Sequence, residues 1–535
     1  MDILADESSG PCLTWWLVLA VVTLLILYLT WTYTYFLRRG IRGPLPLPLF
    51  GNVLGWREGI QYAMDDYIKK YGNCCGFYQF LSPAILVSDP DMIKQIMVKH
   101  FDRFHNRMFI PIDSPLLSKA LFISSDEQWK KLRHTLTPAF SGKKMKLMSE
   151  MVKEPASRLV KNLMEVCGEE KQGTIDLKES FGAYIMDTIA LCAFGLNVDS
   201  QKNKDDPFVR NAKKFFSSLD FTSPALIIYM LVGRIPGVPG LLRLLGLNVF
   251  PVDTLEFFKS VIDRAIEHRR TDKSTKNIDF LQLVLDSTKD NEGENDDDDD
   301  SPPANHTNGM SSSSSGNTDT RRNRQPLTRL ELTSQALAFF VAGYETTTTA
   351  LTLTAYLLAT NPDQQDRLID EIDRLAPTAE DINYESLKKL VSLENIISES
   401  LRLYPPGAVI DRVCNQTTTI NGHEFRAGDS VSIPIWSVQR DPNHWPNPEK
   451  FDPDRFNKEN AAGRAPLAWL PFGGGPRFCI GLRFAMMEIR TALVMLLQQF
   501  RLEVAPETEI PPVLGKAGFI NPPNGVTLRV VERSK

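Results

Sequence analysis

The chain has 535 residues, 43% of them hydrophobic and 23% charged, with a formal net charge of −5. These proportions belong to a globular protein and exclude a wholly disordered, collagen-like or coiled-coil chain. The acidic balance gives no basis for nucleic-acid binding. The seven cysteines are too scattered for a disulfide scaffold and form no CxxC pair of the structural-zinc kind.

The first predicted element is a membrane span. Thirty uncharged residues separate Glu7 from Arg38. Within them Trp15–Leu37 is almost continuously apolar, and a helix of that length, at about 1.5 Å per residue, crosses a hydrocarbon core of about 30 Å. The flank before it is acidic (Asp2, Asp6, Glu7) and the flank after it basic (Arg38, Arg39, Arg42). This argues for a retained signal anchor over residues 13–37 rather than a cleaved signal peptide. By the positive-inside rule it puts residues 1–12 in a lumen and the rest in the cytosol. Residues 38–50 contain Gly43-Pro-Leu-Pro-Leu-Pro48. Alternating prolines cannot continue a helix, so this stretch is expected to be a stiff spacer before a domain at 51–535.

Within that domain, helical spacing of apolar residues predicts helices over 127–150, 152–168, 176–194 and 252–271. Short strand-like runs lie at 84–88, 418–421 and 424–435, each beside a turn signal. The expected class is mainly α with a small β component. The apolar run 221–250 is too short and too broken by glycine and proline to span, and is expected to be a second membrane contact. Residues 287–326 stand apart. Between 290 and 324 there are nine acids against three arginines and almost no large apolar side chain, so the stretch cannot fold alone. We read it as a disordered insertion in one domain, not a linker between two.

A long helix is predicted from Thr328, which has capping-box spacing to Glu331, as far as Asn361-Pro362. Its centre reads Ala342-Gly-Tyr-Glu345-Thr346-Thr347. Glycine and threonine are poor material for the middle of a buried helix, and such a break in a local rule is expected at functional sites.

Near the C-terminus stands Phe472-Gly-Gly-Gly475-Pro-Arg477-Phe-Cys479-Ile-Gly481, with a helix predicted from Leu482 to Phe500. The glycines let the backbone pass close to something large and flat. The helix start offers amides and a positive dipole end to the Cys479 sulfur, which favours thiolate. A thiolate without a nearby second metal-binding side chain suits a single axial ligand of haem iron. Arg477 stands where it could pair with a haem propionate.

On these residues the chain resembles the cytochrome P450 family. Ala342–Thr347 resembles the family's oxygen-activation motif, Glu399-Ser-Leu-Arg402 its Glu-x-x-Arg helix, and Arg455 in Pro453-Asp-Arg-Phe456 the third member of that charge network. Trp129 and Arg133 resemble its Trp-x-x-x-Arg helix. The resemblance implies the P450 fold and haem b as cofactor. Cys479 would be the iron ligand, with Arg107, Trp129, Arg133, Phe472, Gly475, Arg477 and Gly481 around the cofactor. Thr346 and Glu345 would serve catalysis. Glu399, Arg402 and Arg455 would form a structural network. A propionate-binding arginine of many relatives is replaced by Val409, and whether Arg412 substitutes is left open.

Arg-Val-Cys at 412–414 and Arg-Asp-Pro at 440–442 resemble the 3A-type drug-metabolising branch, and the run at 356–363 resembles thromboxane-A synthase. The first implied activity is oxygen insertion into a lipophilic steroid, fatty acid or xenobiotic, at the endoplasmic reticulum membrane. Its electrons would come from NADPH through NADPH-cytochrome P450 reductase, with cytochrome b5 a second candidate partner. The alternative is isomerisation of a lipid endoperoxide without NADPH, and a haem-based sensor or carrier is a third class. Expected pocket walls are Phe109, Ile110, Phe122, Phe215, Phe339, Ala342, Ile410 and Phe519.

Overall fold

The computed structural model describes residues 10–108, 114–218, 223–233, 235, 237–271, 279–287, 327–516 and 518–534. Helix α1 (Gly10–Tyr33) is apolar and exposed along its described surface, and Leu13–Arg39 is long and apolar enough to cross a membrane.

Where the expected span 13–37 meets the expected spacer 38–50, the chain already packs on the domain. Phe36 is buried, and a Cβ on Gly76 would lie 2.5 Å from its ring. Arg39 pairs with Asp429 at 2.9 Å with both side chains nearly buried, and the Tyr35 hydroxyl donates to the same carboxylate. At Gly43 a Cβ would meet the Gly76 carbonyl oxygen at 1.9 Å, so only glycine fits there. The segment leaving the span is thus fastened to the sheet before the prolines begin.

The helices that position the site follow in order. Helices α2 (Asp126–Leu136) and α3 (Gly142–Cys167) are separated by a 3-10 turn at Thr137–Phe140, which contains Pro138. The predicted helix 127–150 is therefore interrupted. The predicted boundary near 151 is absent, because α3 continues through Pro155. Then come α4 (Leu177–Phe194), α5 (Pro224–Val232), α6 (Val238–Leu244), α7 (Val252–Thr271), α8 (Arg329–Thr360), α9 (Val391–Leu403) and α10 (Leu482–Gln499). The Thr328–Glu331 capping box that starts α8 is present in both directions. Nearly all of the acidic, serine-rich insertion, 288–326, lies outside the described residues.

The strands are β1 (Cys74–Gln79), β2 (Ser82–Val87), β3 (Gln172–Asp176), β4 (Val409–Val413), β5 (Thr418–Ile420), β6 (His423–Phe425), β7 (Ser430–Pro434), β8 (Phe500–Val504) and β9 (Thr527–Glu532). They form a four-stranded sheet ordered β1-β2-β7-β4, a three-stranded sheet β3-β9-β8 and the hairpin β5-β6. The single strand expected over 424–435 is split into β6 and β7 by a turn whose Gly428 has φ +94°.

Helix α8 crosses the main core and packs against α4, α9 and α10. Its glycine has a packing cause. A Cβ on Gly343 would come within 3.0 Å of Ile189 Cδ1, so the residue lets α4 and α8 approach closely. The architecture is mainly helical with small sheets, as the sequence predicts.

Candidate functional site

The loop before α10 is shaped by two glycines in left-handed conformations, Gly473 (φ +75°) and Gly475 (φ +66°). A Cβ on Gly475 would lie 1.9 Å from the Met97 carbonyl oxygen. What requires glycine at 475 is the protein's own backbone, and Gly475 is not among the residues lining the cavity beside Cys479. The loop closes through the Cys479 N–H, which donates to the Phe472 carbonyl at 2.8 Å.

Cys479 borders a cavity of about 410 Å³. Its side chain is exposed to that cavity. Burial pushes the thiol above its ordinary pKa, while the amides of Gly481 and Leu482 and the guanidiniums of Arg133 and Arg107 pull it down. The helix start alone therefore does not deliver the expected thiolate. A metal cation at the sulfur would complete the ionisation.

One wall of the cavity is a face of α8. Ala338, Ala342, Thr346 and Ala350 lie four residues apart, with Phe339, Gly343 and Thr347 beside them. The Thr346 hydroxyl donates to the Ala342 carbonyl at 2.6 Å. Phe122, Ile410, Phe472 and Gly481 also line the space, as expected from the sequence.

Four arginines reach the same cavity: Arg107, Arg133, Arg412 and Arg477. Burial and the neighbouring positive charge of Arg107 bring Arg412 down to about 9. Burial, then Arg107 and Arg412, bring Arg477 down to about 9 as well. Arg133 is pulled down to about 10, chiefly by burial. The Nε atoms of Arg412 and Arg477 are buried without a partner among the described residues. Arg477 also lies 4.3 Å over the ring of Trp129, which lines the cavity. Like charges held together away from water call for an anionic occupant. A flat apolar group carrying two carboxylates and a metal that takes one sulfur ligand fits this lining, and haem has that composition. Val409 and Arg412 both line the cavity, so β4 brings a cation to it three residues beyond Val409.

The charge network lies behind the Cys479 loop. Arg402 Nε and Nη2 donate to Glu399 at 2.7 and 2.8 Å, and Arg455 Nε stands 3.3 Å from the same carboxylate. Both Glu399 and Arg402 are fully buried. The spare donors bind carbonyls of the segment 439–450: Arg402 reaches Gln439, and Arg455 reaches Pro446 and Asn447. The step from network to loop runs through a residue the sequence did not single out. The side chain of Gln439 bonds the Arg402 carbonyl at 3.0 Å and the Leu470 N–H at 2.7 Å, just upstream of the Cys479 loop.

Other expected site residues lie elsewhere. Phe215 is core, stacked on Phe250 at 5.2 Å, and does not line the cavity. Phe519 pairs its backbone with Gly407 and is not a lining side chain either. Phe109 and Ile110 fall outside the described residues. Glu345 points away from the cavity: its carboxylate accepts from Asn521 and lies 3.7 Å from Lys178 on α4. Missed altogether was Glu488 on α10, which lines the cavity fully buried and has no partner among the described residues for either oxygen. Its apolar helical surroundings carried no signal.

Residues 41–530 match the family described as Cytochrome P450. The chain is 37% identical to cytochrome P450 3A9 of Rattus norvegicus over 100% of its length and 99% of that protein. It is 38% identical to cytochrome P450 3A6 of Oryctolagus cuniculus, over 97% of each chain, and 36% identical to cytochrome P450 3A13 of Mus musculus, over 100% and 99%. With this match along nearly its whole length, the chain belongs to the cytochrome P450 family, is similar to its 3A members, and is a haem-dependent cytochrome P450 monooxygenase supplied with electrons by a redox partner.

Proposed function

We propose that the protein oxidises a lipophilic small molecule, a steroid, fatty acid or xenobiotic, using dioxygen and NADPH. The observation that carries this reading is one apolar cavity bordered by Cys479, by four arginines and by the Ala342–Thr347 face of α8. Haem bound there supplies the oxygen-activating redox chemistry. Cys479, as thiolate, would be its iron ligand. Arg107, Arg133, Arg412 and Arg477, with Trp129, would hold its propionates, which would relieve their mutual repulsion. Phe472 and Gly481 flank the sulfur. The Thr346 hydroxyl, oriented by the Ala342 carbonyl, holds a water and passes a proton into the cavity. Glu345 meets solvent on the outer side of α8 beside Lys178, where it collects protons for Thr346. Phe122, Phe339, Ala342 and Ile410 exclude water and hold the substrate's apolar body.

In this reading residues 1–12 are lumenal and residues 13–32 of the expected 13–37 span cross the endoplasmic reticulum membrane, since Tyr33, Tyr35 and Phe36 already pack on the domain. Residues 38–50 connect to a cytosolic catalytic domain at 51–535. NADPH-cytochrome P450 reductase is the electron donor, with cytochrome b5 as a second partner.

The test is turnover. Full-length protein with reductase, NADPH and dioxygen is offered a panel of steroids, fatty acids and foreign compounds. Product formation that requires NADPH supports the proposal. Rearrangement of a lipid endoperoxide with neither NADPH nor dioxygen, and no turnover of the panel, would establish the isomerase instead.

A further inference from the structure

Gln335 lies on α8, about two turns before Ala342, and is fully buried. Its side-chain amide reaches a distant part of the chain. Oε1 accepts the N–H of Leu121 at 2.8 Å, and Nε2 donates to the carbonyl of Lys119 at 2.6 Å. One amide thus satisfies two backbone groups two residues apart, which is the pairing an adjacent β-strand would make.

The segment it holds is a cavity wall. Leu121 and Phe122 line the space beside Arg107 and Trp129. No sheet reaches this segment. The short helix Pro115–Ser118 ends before it, and α2 starts only at Asp126. Between them the backbone-to-backbone bonds among the described residues are local, such as Ile123 to Ala120 and Ser124 to Ala120. The far end is tied from another direction, where Arg477 Nη2 donates to the Ser124 carbonyl at 2.9 Å. The wall is therefore suspended between α8 and the Cys479 loop. The flanking buried positions on α8 include Leu332, Ala336 and Leu337. Without the amide, the Leu121 N–H and the Lys119 carbonyl would each lose this partner.

We propose that Gln335 is a specificity-determining positioning residue: by pinning Lys119 and Leu121 it fixes how far the Leu121–Phe122 wall stands over the cavity, and so sets the size of substrate accepted. This rests on the cavity being the substrate site, as proposed above.

The experiment compares the full-chain holoenzyme with Gln335→Met, which removes both bonds at similar volume, and Gln335→Glu, which keeps only the acceptor for Leu121. The carbon-monoxide spectrum reports haem and its thiolate ligand. Hydrogen exchange reads the amides of 119–124. Steady-state turnover of a large probe, progesterone, and a small one, ethylbenzene, reads selection. In Gln335→Met the thiolate band is retained and the wall amides exchange about tenfold faster. The ratio of kcat/KM between the two probes falls about tenfold, mainly through KM. Gln335→Glu lies between. Unchanged exchange and an unchanged ratio overturn the proposal. So does loss of haem in both variants, which would make Gln335 part of the fold rather than of selection. Failure of the unsubstituted protein to show the thiolate band would instead strike at the site itself.

Discussion

Cys479 is legible in the sequence because its chemistry needs a rare local pattern: glycines to shape the loop, a helix start beyond it, and no second ligand nearby. What that pattern does not reveal is which glycine does what. Gly475 is required by the Met97 carbonyl 1.9 Å from where its Cβ would stand. Gly475→Ala is therefore expected to lose the Cys479 loop geometry and yield protein without haem. A normally loaded variant would show that the loop can shift. The arginines divide in the same way. Arg133 and Arg477 sit in recognisable motifs, whereas the place of Arg412 depends on which side chains of β4 enter the cavity. Arg412→Gln removes a charge-assisted contact worth about 1.5–3 kcal/mol. Haem should then dissociate roughly ten- to a hundredfold faster in a transfer assay to apomyoglobin. An unchanged rate would mean that Arg412 does not face the propionates. Thr346→Ala is expected to keep haem and divert electrons to peroxide, read as NADPH consumed without product; intact coupling would remove the hydroxyl from the mechanism.

At the level of elements, helix ends and faces are legible where local chemistry marks them. The capping box fixes the start of α8, and Asn361-Pro362 fixes its end. The bounds of α2 and α3 are not legible, because apolar spacing does not report a proline's fate. Pro138 interrupts the helix, while Pro155 is absorbed within one. The sequence shows the Glu399 network as a pair three residues apart, and its burial is what gives it weight. Removing one partner of a buried pair costs about 3–5 kcal/mol. Glu399→Ala should therefore give no haem-loaded protein, and a loaded, active variant would show the network to be dispensable.

For the second membrane contact expected in the apolar run 221–250, the structure moves the focus. Ile227 and Leu231 are half-buried, whereas Leu241, Leu244 and Leu245, on and just after α6, are exposed at 52%, 83% and 64%. Each leucine inserted into lipid contributes about 2 kcal/mol. Protein lacking residues 1–29 should still sediment with vesicles. Aspartate at those three positions should release it with haem retained. Complete solubility after truncation alone would leave α6 without a membrane role.

For the whole molecule, the class, the long apolar first helix and the loop that carries Cys479 are all visible in the sequence, because each rests on composition, length or a short motif. The attachment of the span is not visible. It depends on Asp429, Gly76 and Tyr78 meeting Tyr35, Phe36 and Arg39 across long sequence separations, and no local pattern announces such a pairing. That is also why the truncation above stops at residue 29, since removing 30–42 would strip Phe36 from the sheet and leave Asp429 buried without its cation. The central claim is that one sulfur, Cys479, ligates haem inside this cavity. The carbon-monoxide difference spectrum of the reduced full-length protein tests it most directly. A strongly red-shifted Soret band of the thiolate type is expected, lost in Cys479→His. A band at the ordinary histidine-ligated position in the intact protein, or a thiolate band that survives Cys479→His, would contradict it.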